Sequence, residues 1–354
     1  MPRPPVSDSR GIPHPLTFAR GPETNEGPMV TMTKERASQP DGDALPAALP
    51  TPARRRTRRT PLTWYRGGGL WNFLFLLPMI FVFFFFSWSP IVQSVIMSFQ
   101  KTNLIVSEWV AFDNYIAILT DPDLGRAVIN TIYFAALALL FGFPLPLFMA
   151  VLMSEVKRGK GLYSALAYLP VVIPPVVAVL LWKVFYGADE NGVFNTMLGW
   201  VGIPPQPWIQ SAVQAMPSLV LEATWAAAGG SIIIYLAALL SVPPELYDAA
   251  EVDGAGVWQK VWHVTLPQLR GILFIMLILQ VIATAQVFLE PFLFTGGGPV
   301  GSTTTILLYI YNKAFRNSLG GDYGEATAVS VLLAIVLAIL SWLYFRLTNR
   351  WSTS

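Results

Sequence analysis

The sequence contains no cysteine and only two histidines, His14 and His263. The missing cysteines exclude disulfides, thiolate nucleophiles and sulfur metal ligands, and two histidines are too few for a histidine-rich metal centre. Charged side chains are scarce as well, at 12% of the chain, whereas soluble globular domains carry roughly 25%. Because so few charges cannot cover a surface that faces water, part of the solvent around this chain must be lipid.

Long apolar stretches are what the sequence has in abundance. Hydrophobic residues make up 54% of it, and the mean hydropathy is +0.52. Six stretches approach or exceed the roughly 20 residues that a helix needs to cross a bilayer. They are residues 70–98, 127–153, 162–186, 217–241, 271–293 and 326–346. The sequence therefore predicts an all-α, polytopic membrane protein with six transmembrane helices.

Several of these stretches contain prolines, which would break helices in a soluble protein. In a membrane bundle, neighbouring helices can satisfy the backbone groups that a proline leaves unpaired. We therefore expect kinks, and not helix ends, at Pro78, Pro90, Pro144, Pro146, Pro170, Pro174 and Pro175.

Residues 1–62 differ in composition from the rest of the chain. They are rich in Pro, Ser, Thr, Arg and Gly, and they show no sustained apolar periodicity. This composition predicts a disordered cytoplasmic arm that precedes a six-span domain over residues 63–350. The first 30 residues lack the order of a signal peptide, and Met29 and Met32 raise the hypothesis that translation starts downstream of Met1.

The positions of Lys and Arg predict the orientation in the membrane. Basic residues cluster before the first stretch and follow the second, fourth and sixth: Arg54, Arg55, Arg56, Arg58, Arg59, Lys157, Arg158, Lys160, Lys260, Arg270, Arg346 and Arg350. Because cytoplasmic loops carry the excess of basic residues, both termini are expected inside a cell membrane. Lys313 and Arg316 fall on the opposite side, so the excess of basic residues in cytoplasmic loops is a tendency here and not a strict rule. We read the arginine cluster as a topology signal, and we expect no nucleic-acid partner.

The segment 242–270 between the fourth and fifth stretches has an organised pattern. Pro243 and Pro244 suit the first turn of a helix, and Gly254 is a natural stop. Valines at helical spacing follow, with Trp258 and Trp262 beside them. The pattern predicts a helix, a glycine turn and a second helix on the cytoplasmic face. An alternative is a pair of amphipathic helices that rest on the membrane surface.

The same segment resembles a known loop. Asp248, Ala249 and Ala250 are followed after three residues by Gly254, and after nine more by Val264, Thr265, Leu266 and Pro267. This is similar to the EAA loop of the permease subunits of binding-protein-dependent ABC importers, with Asp in place of the usual Glu and Val in place of Ile. Further similarity to the carbohydrate permeases, of the maltose and glycerol-phosphate type, extends over about residues 65–348.

The resemblance implies the MetI-like fold of type I ABC importers and a role as a transport subunit for a carbohydrate. It also implies three protein partners: a second permease subunit, a dimer of cytoplasmic ATP-binding subunits and an extracytoplasmic solute-binding protein. The coupling residues that it assigns are Glu245, Leu246, Asp248, Ala249, Ala250, Gly254, Val264, Leu266 and Pro267. No catalytic residue and no cofactor is expected, because the sequence has no glycine-rich loop that ends in Gly-Lys followed by Ser or Thr.

Polar residues at membrane depth are candidates for the substrate pathway, since lipid-facing polar groups are energetically costly. The candidates are Glu222, Trp225, Gln280, Thr284 and Gln286, together with Asn130 and Glu290. Glu222 and Glu290 have a competing explanation, namely that they lie near the outer ends of their spans and reach water. The run Ala226–Gly230 is either a close-packing surface or a pivot.

Other functional classes fit less well. A permease for a different small solute is the nearest alternative. An intramembrane enzyme would need a nucleophile motif or a metal-ligand cluster, and an ion channel would need a filter-like polar segment. The sequence contains neither pattern.

Overall fold

The structure is a computed structural model that describes residues 69–156, 158–316 and 322–351. The arm predicted for residues 1–62 lies outside this range. The helices in chain order are α1 Gly69–Phe83, α2 Ser89–Met97, α3 Asp113–Thr120, α4 Pro122–Leu137, α5 Pro144–Glu155, α6 Lys160–Val172 and α7 Pro175–Phe185. They continue with α8 Val193–Gly199, α9 Ala215–Leu239, α10 Pro244–Val252, α11 Val257–Lys260, α12 Leu266–Ala285, α13 Ile306–Phe315 and α14 Tyr323–Trp351. A hairpin of β1 (Gln100–Thr102) and β2 (Ser107–Trp109) pairs antiparallel, with Gln100 opposite Trp109.

Five helical segments of the described chain are long and apolar enough to cross a membrane: Trp71–Met97, Pro122–Glu155, Ala215–Leu239, Val257–Ala285 and Tyr323–Arg346. A sixth span is formed if the bent pair Gly161–Val172 and Pro175–Phe185 is counted as one. The predicted class of a helical, polytopic membrane protein is therefore confirmed. The hairpin is a short strand element that the apolar pattern did not indicate.

The expectation of a kinked third span was wrong at Pro174 and Pro175. Helix α6 ends at Val172, α7 begins at Pro175, and the two axes differ by 98°. Ile173 and Pro174 each precede a proline, and both have extended ψ angles, 127° and 133°. A residue before proline is disfavoured in the helical region. Two such residues in succession therefore end the helix.

Other prolines lie within helices or directly after π-helical turns. Helices continue through Pro78 and Pro170. The π-helical turns Phe84–Trp88, Ala138–Gly142 and Val261–Thr265 each precede a helix with proline at its first or second position, namely Pro90, Pro144 or Pro267. Because proline lacks the N–H that an α-helix would use there, a shift to wider hydrogen bonding accommodates it.

Three buried clusters hold the bundle together. One lies where α4 and α9 begin and includes Trp182, Tyr186, Leu219 and Phe294. A second joins α3, α4, α13 and α14 around Ile118, Tyr309 and Val329. The third lies at the far end of α9, where Ala150, Ile232, Tyr235, Leu239, Val242 and Leu269 pack together. We call the end where α4 and α9 begin the capped end, since the segments 100–121, 187–214 and 286–305 cover it. The 242–270 loop lies at the other end.

Helix α1 presents its side chains outward. Every residue from Trp71 to Phe86 is exposed, and Phe86 is 76% exposed. Aromatic and aliphatic side chains exposed along a whole helix are stable in hydrocarbon and not in water. The exposure of α1 thus agrees with a surface that faces lipid.

One glycine of the Ala226–Gly230 run makes a close contact between helices. A side chain at Gly229 would collide with the carbonyl oxygen of Ala167 and would lie 3.1 Å from the Cα of Tyr168, both in α6. Nothing lies within 4 Å of the corresponding position at Gly230. The packing interpretation is therefore confirmed at Gly229, where α9 meets α6 backbone to backbone.

Candidate functional site

The 242–270 loop forms the predicted helix, glycine turn and helix. Helix α10 begins at Pro244 after an extended Pro243, and its last turn closes with the amides of Gly254 and Ala255 bonded to the carbonyls of Glu251 and Ala250, at 3.0 and 2.9 Å. Gly254 has a φ of +77°. Residues with a Cβ rarely adopt this left-handed conformation. Glycine is therefore required for the turn into α11.

An exposed groove of about 470 Å³ runs between α10 and the segment that follows it. Its lining residues are Leu246, Ala249, Ala250, Asp253, Gly254, Ala255, Gln259, His263 and Val264. Five of the nine residues that the resemblance assigns to coupling lie in this lining. Glu245 and Asp248 are exposed on the same helix, and Leu266 and Pro267 form the first turn of α12. The small alanine side chains leave room for an approaching partner.

An ion pair closes the loop at its surface. Lys260 of α11 lies 2.9 Å from Glu251 of α10, and the hydrogen bond and positive charge of Lys260 hold the pKa of Glu251 below its usual value. Trp258 stacks on Phe148 of α5 with ring centroids 6.4 Å apart, although the Trp258 side chain is still 65% exposed. Exposed tryptophan beside a membrane span is typical of the headgroup region. The loop therefore carries an ion pair at its surface and an apolar edge at Trp258.

A cavity of about 560 Å³ lies between α4, α9, α12 and residues 286–290. Three of the predicted pathway residues, Gln280, Thr284 and Gln286, line it, and so does Glu290. The Gln280 amide donates to the carbonyl of Ala138 at 2.8 Å, which joins α12 to the π-helical turn after α4. A side chain at Gly142 would come within 3.1 Å of that amide. The sequence did not indicate the other polar lining groups, Thr224 and Ser231.

Glu222 and Trp225 take other positions. Neither lines the cavity, whereas Ala223 and Thr224 between them do. Trp225 packs in the aromatic cluster, 5.5 Å from the ring of Trp182. Glu222 is only 2% exposed, and its Oε2 atom has no hydrogen-bond partner. The explanation that Glu222 reaches water is therefore wrong, because its helix is covered there by the segments of the capped end.

Asn130 fixes a loop. Its amide donates to the carbonyls of Gly301 and Thr304 at 2.8 and 3.0 Å. The neighbouring Thr131 hydroxyl accepts a hydrogen bond from the amide of Ile306, at the start of α13. Polar residues on α4 thus hold residues 301–306 in place. Because these partners are far away in sequence, local pattern did not reveal the role.

Lys313 is the centre of a charged network at the capped end. Its ammonium group lies 3.1 Å from Asp121 and 2.8 Å from Glu325, and the Tyr309 hydroxyl donates to Asp121 at 2.6 Å. Burial alone would raise the pKa of Asp121, but the hydrogen bond from Tyr309 and the charge of Lys313 hold it below its usual value. Burial likewise opposes the charge of Lys313, yet the two carboxylates raise its pKa. This pairing explains why Lys313 departs from the charge bias of the loops.

In the ranges 69–156, 158–316 and 322–351, no group of three or more His, Asp or Glu side chains could hold a metal ion.

Comparison with known proteins identifies the family. The family model described as "Binding-protein-dependent transport system inner membrane component" matches residues 142–353, more than half of the chain. The chain belongs to this family. The match contains the whole 242–270 loop, the fifth and sixth spans and most of the cavity. The resemblance carried by Asp248 to Pro267 is thereby confirmed.

Three curated permease proteins show how far the likeness extends. The arabinooligosaccharides transport system permease protein of Halalkalibacterium halodurans is 31% identical over 289 residues, 81% of this chain and 90% of that protein. The lactose transport system permease protein of Rhizobium radiobacter is 31% identical and covers 82% and 97%. The trehalose/maltose transport system permease protein of Thermococcus litoralis is 28% identical and covers 78% and 92%.

Solved structures agree with the family. A chain of a bacterial ABC transporter involved in the import of the acidic polysaccharide alginate matches with a TM-score of 0.71 and 28% identity, over 81% of this chain and 97% of that one. A chain of a bacterial alginate ABC transporter in complex with an alginate pentasaccharide-bound periplasmic protein gives the same TM-score, over 82% of this chain and 98% of that one. The predicted importer permease fold is therefore confirmed, and this permease is a membrane component of an ABC import system.

Proposed function

We propose that this permease forms half of the membrane pathway of an ATP-driven importer that takes up a carbohydrate. The observation that carries the proposal is the exposed groove of the 242–270 loop, at the opposite end of the bundle from the capping segments. The curated relatives are named for arabinooligosaccharides, lactose, and trehalose and maltose. Our proposal extends this substrate class to the present chain.

ATP hydrolysis takes place on separate cytoplasmic subunits. The absence of a phosphate-binding loop from the sequence supports this division, and so does the shape of the groove. A dimer of ATP-binding subunits grips α10, with Leu246, Ala249 and Ala250 as the packed face and Asp248 available to a basic partner. Closure of that dimer on ATP moves the membrane helices between two states. In this proposal the loop and both termini lie in the cytoplasm.

The cavity provides the substrate pathway. Amide and hydroxyl groups of Gln280, Thr284 and Gln286 suit the hydroxyls of a sugar, and the rings of Phe134 and Phe288 suit its apolar faces. The cavity is open on one side, and a second permease subunit completes its wall. The substrate arrives from a solute-binding protein that docks on the capped end. Glu222 and Trp225 support the wall from behind the lining residues.

The experiment compares variants in the groove with a matched variant elsewhere. Assemblies are captured from host membranes through a tag on this chain, and their bound ATP-binding subunit and ATP hydrolysis are measured. Asp248→Lys is expected to lose the ATP-binding subunit, because it places a positive charge where a basic partner is expected. Gly254→Val is expected to do the same through strain at a φ of +77°.

Glu190→Lys provides the control, since it reverses the same charge on an exposed residue of the capped end. It should retain the ATP-binding subunit at the level of the unmodified chain. If both groove variants capture as much ATP-binding subunit as the unmodified chain, the proposed function is contradicted.

A further inference from the structure

Tyr247 differs from the residues around it on α10. No residue of α10 is buried, and Leu246, Asp248 and Ala249 are exposed. The ring of Tyr247 instead turns to the bundle and packs against the cluster that contains Tyr235, Leu239, Val242 and Leu269. The side chain also lines a small cavity of about 240 Å³ with residues of α5 and α9. Tyr247 is thus the side chain through which α10 reaches the membrane helices.

The hydroxyl of Tyr247 forms a hydrogen bond with a buried threonine. It lies 3.1 Å from the hydroxyl of Thr265, which is only 3% exposed. Thr265 in turn donates to the carbonyl of Lys260 at 3.4 Å, which leaves the Tyr247 hydroxyl as the donor to Thr265. Thr265 is the last residue of the π-helical turn and directly precedes Leu266, the first residue of α12. The bond therefore joins α10 to the base of α12.

The second polar contact from α10 is weaker. In the part of the chain that the structure describes, side chains of α10 make two polar contacts with the following segment, and the other is the Glu251 and Lys260 ion pair. The Glu251 side chain is 75% exposed, so water and salt screen that pair. A partly enclosed hydroxyl pair keeps its geometry better than a solvated ion pair. Of the two polar contacts, the one from Tyr247 is therefore the better shielded from water.

We propose that Tyr247 is a positioning residue that transmits the movement of α10 to α12 through the Thr265 hydroxyl; this rests on the proposed function. Helix α12 carries Gln280 and Thr284 in the cavity wall. A shift applied at Thr265 moves the base of the helix that carries these groups. The π-helical turn beside the contact is a place where the hydrogen-bond register of a helix can change.

The test is a double-mutant cycle on the complete assembly, with Tyr247→Phe, Thr265→Val and the two combined. Because the chain has no cysteine, Ile275→Cys on α12 and Val201→Cys in the capped end give two defined positions for spin labels. Both residues are exposed, at 48% and 72%. The distance between the labels is measured by pulsed electron paramagnetic resonance, without nucleotide and with ATP plus orthovanadate. The same labelling of the chain without introduced cysteines gives the background from other subunits.

Each single variant is expected to reduce the ratio of moved to unmoved α12 by roughly three- to tenfold, the worth of one hydrogen bond. The combined variant should be no worse than Thr265→Val alone, since the bond that Tyr247→Phe removes is already absent there. All three should keep the ATP-binding subunit and hydrolyse ATP. Thr265→Ser keeps a hydroxyl and should behave like the unmodified chain. Tyr163→Phe, at a 50% exposed tyrosine of α6, should also have no effect.

An unchanged distance shift in Tyr247→Phe and in Thr265→Val would overturn this inference. A shift that is lost additively in the combined variant would also overturn it, because the two hydroxyls would then act separately. The proposed function fails by a different result: Asp248→Lys and Gly254→Val would retain the ATP-binding subunit. The two failures are therefore distinguishable in one set of samples.

Discussion

At the capped end, buried polar side chains tie the connecting segments to the helices, whereas helix α10 of the 242–270 loop lies largely exposed. Asn195, Asn130, Thr131 and Lys313 each bond across elements at the capped end. At the loop end, α10 has no buried residue. The difference indicates that the side chains of the capped end fix it more firmly than those of α10 fix that helix.

The largest effect is expected from Asn195→Ala. The Asn195 amide group donates to the carbonyls of Gly187, Asp189 and Gln206, and its oxygen accepts from the Gln206 amide and the Trp208 indole. The residue is 2% exposed, so truncation leaves several buried groups unpaired, at about 3 kcal/mol of unfolding free energy. Thermal unfolding in detergent measures the loss.

Asn191→Ala is the control for this change, because Asn191 is an exposed asparagine four positions away in the same segment. Its unfolding midpoint should stay close to that of the unmodified chain. Equal midpoints for the two alanine variants would show that the capped end does not depend on its buried amide.

Lys313→Met should have the next largest effect. It leaves Asp121 and Glu325 without their shared cation, and the three side chains are only 20–25% exposed. We expect a loss of about 2 kcal/mol in the free energy of unfolding, below the value for a fully buried pair. Arg126→Met removes an ion pair with Asp123 whose side chains are 56% and 67% exposed. That control should stay within about 0.5 kcal/mol.

Glu251→Gln tests the loop end and should have a smaller effect. The Glu251 and Lys260 pair is exposed on the carboxylate side, so its removal should change the unfolding midpoint no more than a typical surface substitution does. Added salt should abolish even that difference. A large loss of stability in this variant would show that the loop end is as firmly fixed as the capped end.

Lowering the pH is expected to have the smallest effect on stability, and it acts at the capped end through Asp121. The pKa of Asp121 is lower in the folded chain than its ordinary value of 3.8. Its contribution to stability is therefore present above that value and is lost as the pH falls through the lower, folded pKa. Unfolding midpoints from about pH 6 to about pH 3 should fall more steeply for the unmodified chain than for Lys313→Met. Parallel curves would contradict the pairing of Asp121 with Lys313.

The sequence predicted the features that depend on neighbouring residues or on the lipid environment. Gly254 as a helix stop and Pro244 as a helix start follow from backbone chemistry within a few residues, and the structure has both. The apolar stretches follow from the thickness of a bilayer. The residue types and spacing from Asp248 to Pro267 indicated the family, which the composition alone does not identify.

Contacts between distant segments account for what the sequence did not predict. Asn130 bonds to residues more than 170 positions away, so its side chain could not be assigned to a loop from its own surroundings. The competing explanation for Glu222, that it reaches water, rests on its short distance from the helix end, but segments distant in sequence cover it. The break at Pro174 was missed for a different reason, since satisfied carbonyls do not relieve the restriction on a residue before proline.

The contact at Gly229 has a consequence for how α9 and α6 could move. Most helices meet through interlocked side chains, and a rotation between them forces those side chains into new rotamers. Where the glycine meets the Ala167 backbone, α9 contributes no side chain of its own, and the Val171 side chain of α6 lies beside the contact. Turning one helix against the other about that point therefore requires no rotamer change at position 229 itself. Alanine at position 229 would push the axes of α9 and α6 apart and remove the direct contact between their backbones.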